Sequence, residues 1–374
     1  MSGNYQMQKN GWQECKLGDV VSLEYGKSLS GYRESFGKYP VYGTNGKIGN
    51  ADSFLSSIPS VIIGRKGAYR GVHFSKSPFY VIDTAFYIKP KTKDLDLFYL
   101  YNFLLMQDIN SKDSGSAIPS TDRYEIYDID IPLPPLPEQH AIAGVLSSLD
   151  DKIDLLHRQN KTLEGMAEAL WRRMFVEEAE PGWKKGKLRD IAEINPLRSI
   201  KKRASATYLD MSNMPTNSPF PKEWIQREFS SGMKFKNGDT VMARITPCLE
   251  NGKTAYVNFL DNEEIAWGST EYIVLAPKLG YCSEWYYFLA RNDDFRDFAI
   301  QNMTGTSGRQ RVSGDSIAQY EIAIPPKNIF DSFRTFAGPV MEHIKQNSFQ
   351  ICTLSRLRDT LLPKLMSGEV RVAL

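Results

Sequence analysis

The sequence has little that would mark a metal centre, a secreted fold or a membrane protein. Its four cysteines, Cys15, Cys248, Cys282 and Cys352, form no Cys-x-x-Cys pair, and its four histidines do not cluster with them. That spacing argues against a zinc site and a disulfide framework and fits thiols in a reducing cytoplasm. No apolar run approaches the roughly 18 residues at which a membrane span begins. The N-terminus also lacks the charged-then-apolar pattern of a signal peptide. The expectation is a cytoplasmic protein with no membrane partner, no metal and no cofactor. Charge of one sign is scarce too: the formal net charge is only +2. By segment it is +1 over residues 1–137, −4 over 138–180, +2 over 181–326 and +3 over 327–374. None of these is a basic arm or an acidic tail, so any polyanion partner must be met by charge that folding concentrates.

Catalytic motifs are missing as well. There is no Gly-x-x-x-x-Gly-Lys-Ser/Thr loop, which excludes a P-loop nucleotide site. The nearest text to an amino-methyltransferase Asn/Asp-Pro-Pro-aromatic loop is Asn195-Pro196-Leu197, which lacks the second proline and the aromatic. Asp150-Asp151-Lys152 looks like a nuclease fragment but falls in a helical stretch with no partner acid in context. No Ser/His/Asp or Cys/His order stands out, although order alone does not exclude a triad.

What is present is a repeat. With 374 residues the chain is long enough for two to three domains, and 41% hydrophobic against 24% charged side chains fits a globular one. WQECKLGDVVSLEYG begins at Trp12 and WKKGKLRDIAEINP at Trp183, aligning Lys16 with Lys187, Leu17 with Leu188 and Asp19 with Asp190. IDIPLPP (Ile129 to Pro135) matches YEIAIPP (Tyr320 to Pro326), now at an offset of 191 rather than 171. The second half therefore holds about 20 extra residues between its opening motif and its proline stop.

After each stop the pattern turns helical. Ile142, Val145, Leu149, Ile153, Leu156, Asn160, Leu163, Ala167, Leu170 and Met174 recur in steps of three and four, and Pro181-Gly182 ends the run. This predicts a helix of roughly 37 residues, about 55 Å long. Phe333, Phe336, Val340, Ile344, Asn347, Ile351, Leu354, Leu361 and Leu365 repeat the stripe 191 residues on, interrupted by Arg358. Two such helices should pair as an antiparallel coiled coil, with Asn160 and Asn347 fixing register. Pro363 should kink or end the second helix near Leu362. The entry IPPKNIFDSF leaves the start of that helix open.

The expected fold class is α+β: two tandem mixed domains, each followed by a long helix, with the paired helices giving pseudo-two-fold symmetry. The expected boundaries are 1–137, 138–177, 178–326 and 327–374. In the first mixed domain, SVIIGRKGAYRGVHF (Ser60 to Phe74) is a strand, a glycine-bounded turn and a second strand. FYVIDTAFYIKP (Phe79 to Pro90) is another strand pair, and Leu95 to Gln107 is helix. In the second, Gly238 to Phe259 is strand–turn–strand, Trp267 to Lys278 one strand and Ser283 to Gln301 one helix. Thr304 to Val312 is a loop, with Ser114 to Tyr124 in its place in the first half.

In this order the motifs resemble the specificity subunit of type I DNA restriction-modification enzymes over essentially the whole chain. The likeness is carried by GTNG (Gly43 to Gly46), IIGRKGAYRG (Ile62 to Gly71), VIDTAFYI (Val81 to Ile88) and ARITPCLENGKTAYV (Ala243 to Val257). WGSTEYIVL (Trp267 to Leu275), IPLPPLPEQHAIAGVL (Ile131 to Leu146) and LLPKLMSGEV (Leu361 to Val370) complete it. The resemblance implies that each mixed domain is a target-recognition domain for half of a split double-stranded DNA site. It implies that the helices act as a ruler and dock two methyltransferase subunits, with restriction/translocase subunits joining the complex. It also implies a non-catalytic chain that binds neither S-adenosylmethionine nor ATP. The IPPKNIFDSF entry departs from the family's usual repeat of a PLPEQ-like segment.

Base reading needs Arg or Lys at guanine edges, Asn or Gln at adenine, and cations or hydroxyls on phosphates. The first-half candidates are Thr44, Asn45, Lys47, Arg65, Lys66, Arg70 and Arg123; Gly64 and Gly67 allow close backbone approach around Arg65-Lys66, which otherwise form a solvated structural turn. The second-half candidates are Arg244, Thr246, Asn251, Lys253, Ser269, Thr270, Arg309, Gln310 and Arg311, the last three forming the densest recognition-type cluster. Trp267 and Tyr272 read as core. Two other readings stay open: a dumbbell scaffold with protein-binding end domains, which a DNA shift assay would separate, and a hydrolase with an unrecognised site.

Overall fold

In each half, the opening strand pairs with the strand before the proline stop, so one antiparallel ladder joins the two ends of the half. The computed structural model describes residues 6–7, 11–112 and 119–373. It divides into unit 1, residues 1–152 with 354–374, and unit 2, residues 153–353. Of the loop expected at Ser114 to Tyr124, the part up to Ile118 lies outside the described residues.

Unit 1 runs through β1 (Gln6–Met7), β2 (Gln13–Lys16), α1 (Leu17–Val20), β3 (Val21–Tyr25), β4 (Tyr39–Gly43), β5 (Gly46–Ala51) and β6 (Ser60–Gly64). It continues with β7 (Val72–Ser75), β8 (Tyr80–Val81), β9 (Ala85–Pro90), α2 (Leu97–Leu105), α3 (Arg123–Tyr127), β10 (Asp130–Leu133) and the start of α4 (Leu136–Arg172). β2 pairs antiparallel with β10, Cys15 opposite Ile131. A second sheet has the order β3-β9-β6-β7 and a third β5-β4-β8, with β4 and β8 parallel. β6 is buried at all five positions because both its faces are covered. Val61 and Ile63 pack with Tyr99, Leu100, Phe103 and Leu104 of α2, while Ile62 packs with Phe79, Val81 and Tyr87. Asp96 caps α2 by accepting from the backbone N–H groups of Phe98 and Tyr99.

Unit 2 repeats the plan with β11 (Lys184–Lys187), α5 (Leu188–Ile191), β12 (Ala192–Ile194), β13 (Ser205–Leu209), β14 (Ile225–Glu228), β15 (Met233–Phe235) and β16 (Thr240–Ala243). Then come β17 (Thr254–Tyr256), β18 (Ala266–Gly268), β19 (Tyr272–Pro277), α6 (Ser283–Arg291), α7 (Asp293–Gln301), α8 (Gly314–Ala318), β20 (Glu321–Ile324) and α9 (Lys327–Met366). β11 pairs with β20, and the larger sheets have the orders β12-β19-β16-β17 and β14-β13-β18-β15. The last corresponds to β5-β4-β8 with one strand added, which is where part of the longer second half goes.

Several expected elements differ. The helix expected over Ser283 to Gln301 is two helices, because Asn292 is extended and caps α7 by accepting from the Phe295 N–H at 3.2 Å. The strand expected over Trp267 to Lys278 is β18 and β19 in different sheets, separated by a turn in which Tyr272 N–H bonds the Ser269 carbonyl. β8 and β9 likewise do not pair with each other; the chain turns between them through an Ala85 N–H to Ile82 O bond. α9 does not end at Leu362 but runs through Pro363 to Met366. A proline inside a helix costs about 3 kcal/mol. Leu365 and Met366 offset it by burying in the unit 1 core, at about 1.5–3 kcal/mol each. α4 starts at Leu136, with Pro137 in the first turn, where no N–H is needed.

α4 spans 37 residues and α9 spans 40, and the boundary between the units falls within both. In unit 2 their segments run antiparallel. Phe175, in the π-helical turn that follows α4, lies 5.5 Å from Phe330 and 5.4 Å from Phe333, ring centre to ring centre. Asn160 Oδ1 accepts from Asn347 Nδ2 at 2.9 Å, and Asn160 Nδ2 donates to Ser348 Oγ at 3.2 Å, all three residues buried. In unit 1, Arg358 donates to Asp150 at 2.9 Å, and Ile142, Ala143 and Leu146 share a core with Leu365 and Met366. Glu138, itself buried, accepts from Trp12 Nε1 at 3.2 Å and from Arg371 at 2.7 and 2.6 Å. Of the stripe positions, Ile142, Ile153, Leu156, Ala167, Phe333, Val340, Ile344 and Leu365 are buried with the two asparagines. Val145, Leu149, Leu163, Leu170, Phe336, Ile351, Leu354 and Leu361 are partly buried. Leu146, Trp171, Phe330 and Met341 are buried too, although outside that stripe.

Candidate nucleic-acid interface

In unit 1 two glycine-bounded turns nest into each other. The β4–β5 hairpin turns at Thr44-Asn45, with Gly46 at φ +104, and the loop after β6 carries Arg65, Lys66 and Gly67. The Thr44 hydroxyl lies 2.8 Å from the Lys66 carbonyl oxygen and 2.7 Å from that of Thr84, and the Gly71 N–H donates to Thr44 O at 3.1 Å. A Cβ on Gly64 would stand 2.8 Å from the same Thr44 oxygen, so the nesting requires glycine there. The segment after the undescribed stretch closes over the loop: Gly67 N–H bonds Pro119 O, and Thr121 N–H bonds Arg65 O.

This scaffold presents cations stacked on rings. Arg65 lies 5.0 Å from the Tyr25 ring centre and 5.4 Å from Phe86; Arg123 lies 5.6 Å from Tyr25 and 5.1 Å from Tyr124. Such contacts hold a guanidinium flat while leaving its N–H groups free to turn outward. Arg65 also donates to Asp83 O at 3.1 Å, and Lys66 pairs with the Asp83 carboxylate at 3.3 Å. Tyr69 and Tyr124 are 65% and 62% exposed, large rings offered to solvent beside these cations. Asn45 and Lys47 are exposed on the hairpin turn. Arg70 is different: only 3% exposed, it donates to Asn110 O at 2.6 Å, and its own N–H bonds Asn110 Oδ1. It braces the loop from inside.

His73 supports the same turns. Its Nε2 lies 3.2 Å from Thr44 O, which fixes the Nε2–H tautomer, and a Cβ on Gly71 or Gly46 would meet its ring. Burial holds its pKa below the ordinary value, partly offset by the bond to Thr44. A depressed histidine contributes stability that is present above the unfolded value, near about 6.5, and is lost as pH falls through the folded value. The thermal midpoint should therefore drop between about pH 7 and 5, and more steeply than in His73→Gln. Identical pH dependence of the two proteins would contradict this role.

In unit 2 the candidates gather where β16, β18 and the loop after α7 meet. Arg244 N–H bonds Glu271 O, Val312 N–H bonds Arg244 O, and the Thr246 N–H and hydroxyl both bond Gln310 O at 3.1 Å. Arg311 pairs with Glu271 at 2.8 Å and donates to Arg309 O at 2.9 Å, so it shapes the loop. Arg309 and Thr270 are exposed beside it, and Ser269 Oγ accepts from the Glu271 N–H. Asn251 is exposed, while Lys253 donates to Met211 O at 2.7 Å. Trp267 and Tyr272 are buried.

Sequence reasoning missed Tyr25, whose contacts with Arg65 and Arg123 join parts far apart in the chain, and the exposed rings of Tyr69 and Tyr124. It also missed Arg227, Lys234 and the run Lys201-Lys202-Arg203, the last of which was visible as a charge run. Among the described residues no group of three or more His, Cys, Asp or Glu could hold a metal ion, and no helix is long and apolar enough to cross a membrane.

Residues 9–165 and 180–338 each match the family described as the type I restriction modification DNA specificity domain. The chain belongs to that family. It is 25% identical over 307 residues to the type I restriction enzyme MjaIX specificity subunit of Methanocaldococcus jannaschii, covering 74% of this chain and 69% of that one. It is 27% identical over 217 residues to the MjaVIII specificity subunit of the same organism, with 51% of each covered. It is 30% identical over 155 residues to the EcoAI specificity subunit of Escherichia coli, covering 40% of this chain and 26% of that one. The crystal structure of a type I restriction-modification S subunit from M. genitalium shares the fold, with a TM-score of 0.68 at 16% identity, covering 98% of this chain and 99% of that one. The family resemblance and the fold class of two tandem mixed domains with long helices, both drawn from the sequence, are borne out.

Proposed function

We propose that the chain reads a split double-stranded DNA target, unit 1 contacting one half-site and unit 2 the other, and has no catalytic centre of its own. The observation that carries this is the surface of unit 1 on which Arg65 and Arg123 lie against Tyr25 and Tyr124, beside Asn45, Lys47 and Lys66. Cations held flat beside adenine-capable and hydroxyl groups suit base edges and phosphates. In unit 2 the exposed Arg309, on a loop braced by Arg311 and Glu271, takes the same part. Residues 1–137 and 178–326 are the reading domains, and 138–177 and 327–374 the spacer helices. The spacers set the unread gap and dock two methyltransferase subunits, to which restriction/translocase subunits add. The assembly works in the cytoplasm, and S-adenosylmethionine and ATP are bound by the partners.

The test is the chain assembled with its methyltransferase subunits, assayed for DNA binding and for the methylated sequence. Arg65→Ala and Arg309→Ala should each cost about 1–3 kcal/mol in binding and relax one position of the recognised sequence. Arg70→Ala should lower the melting temperature instead, since that side chain is internal. Unchanged affinity and methylation pattern in both surface variants would remove these loops from the interface.

A further inference from the structure

The β14-β13-β18-β15 sheet of unit 2 has two unlike faces. Leu209, Phe235 and Ala266 point into a core with Val241, Ala255, Val257 and Val274. Ala206, Tyr208 and Trp267, on the other face, are covered by Ile200, Phe229 and two cations. The Arg227 guanidinium lies 4.8 Å from the Tyr208 ring centre and 5.7 Å from Trp267, and Lys234 Nζ lies 4.9 Å from Phe229. β14 is exposed along its whole length. Next to it Lys201, Lys202 and Arg203 are exposed on a turn closed by Ala204 N–H to Lys201 O and tied to β14's end by Arg203 N–H to Phe229 O.

The strand registers set these cations on a diagonal row across the sheet, Lys234 on the β15 edge and Arg227 on the β14 edge. Met233 pairs with Gly268, the residue before Ser269, so this end of the sheet leads into the candidate base-reading loops. Lys234 is opposite Trp267, one step back. Arg227 is opposite Ala206 and lies further from that edge, and Arg203 comes two residues before Ser205, which pairs with Glu228. At about 3.3 Å per residue the row extends roughly 15–20 Å from the reading edge. Asp210, bonded to the Tyr208 hydroxyl at 3.2 Å and to Ser212, is at the reading edge rather than along the row. In unit 1 the corresponding β5-β4-β8 region shows the same kind of contact, with Arg33 over Tyr32 and Lys38 over Tyr39.

We infer that this face is a rail for the DNA backbone: Lys201, Lys202, Arg203, Arg227 and Lys234 hold the phosphates of the duplex that leaves the base-reading loops of unit 2. The inference rests on the DNA-reading function proposed above and extends it to a surface that carries no sequence information. Duplex DNA presents one charge about every 1.7 Å along its axis, so a cationic row of this length passes several phosphates. The rings beneath Arg227 and Lys234 restrict these side chains, which lowers the entropy lost on binding.

The experiment measures affinity against salt for the complex with its methyltransferase subunits, on a target duplex and on one with a single mismatched position. The variant is Lys201→Gln, Lys202→Gln and Arg203→Asn, asparagine being suited to the positive φ of +65 at that position. Each lost phosphate contact removes about 0.9 from the slope of log K against log salt. The slope should therefore become shallower by about 2–3 while discrimination between the duplexes stays the same. The charge-preserving variant Lys201→Arg, Lys202→Arg, Arg203→Lys should keep the original slope. An unchanged slope in the neutral variant, with target binding intact, would overturn the rail. So would loss of discrimination, which would make these residues base readers, or loss of the methyltransferase subunits, which would make the face a protein contact. If the unaltered complex failed to bind any duplex, the DNA-reading function itself would fall, and the rail with it.

Discussion

Asp239→Ala is expected to cost about 3–5 kcal/mol of unit 2 stability, the range for stranding one partner of a buried ion pair. The Arg198 side chain is 10% exposed and that of Asp239 2%. Arg198 Nη2 donates to Asp239 Oδ1 at 2.9 Å, Nη1 contacts Oδ2, and Lys236 N–H donates to Oδ2 at 2.7 Å. Arg198 Nη1 also reaches Lys234 O at 3.3 Å. Without the carboxylate, a guanidinium remains in a site that excludes water. The pair of changes Arg198→Met with Asp239→Leu should recover most of the loss, because matched apolar groups need no hydration to be replaced. Urea denaturation of the two proteins checks this. A loss below about 1 kcal/mol for the single variant would mean that the pair is hydrated and weak.

Phe330→Ala should be similarly severe, about 3–5 kcal/mol, because its ring is fully buried and a cavity would remain. It lies 5.5 Å from Phe175, 5.2 Å from Tyr281 and 5.6 Å from Trp285, ring centre to ring centre. Phe330→Leu should retain more than half of the lost stability, since most of the apolar volume is kept. Thermal unfolding would report both, and equal melting temperatures for the alanine variant and the parent would mean that the ring cluster relaxes without cost. At the matching place in the first helix, 191 residues earlier, the solution is polar. Gln139 donates to Asp94 O at 3.0 Å and Pro134 O at 2.9 Å, and accepts from the Asp96 N–H at 2.9 Å.

That contrast shows what the sequence could and could not disclose. The tandem mixed domains and the long helices were legible because proline stops and a three-four spacing are local signals, readable without knowing what packs against them. Phe330 and Gln139 begin their helices at equivalent places, yet their surroundings come from Trp285 in one case and Asp94 in the other, and no local pattern connects these. The sheets were only partly legible for the same reason. WGSTEYIVLAPK reads as one strand, and only the Ser269–Tyr272 turn sends its two ends to different partners. In the candidate interface, Arg65, Lys66 and Arg70 look alike within one short motif. Folding turns Arg70 in toward Asn110 and lays Arg65 on Tyr25, a ring 40 residues away in the chain. The Lys201-Lys202-Arg203 run was open to view, but its neighbours Arg227 and Lys234 join it only through the register of β13, β14, β15 and β18.

The carboxylate of Glu138 bears on the order in which the protein can be completed during synthesis. It holds Trp12 from one end of the sequence and Arg371 from the other, and Leu365 and Met366 fill the core around Ile142. Unit 2 is one uninterrupted stretch, whereas unit 1 takes its last 21 residues from Leu354–Leu374. A ribosome delivers all of unit 2 before it delivers those residues. The half that is translated first is therefore the half that finishes last, and until then its core stands open to water where Leu365 and Met366 will sit.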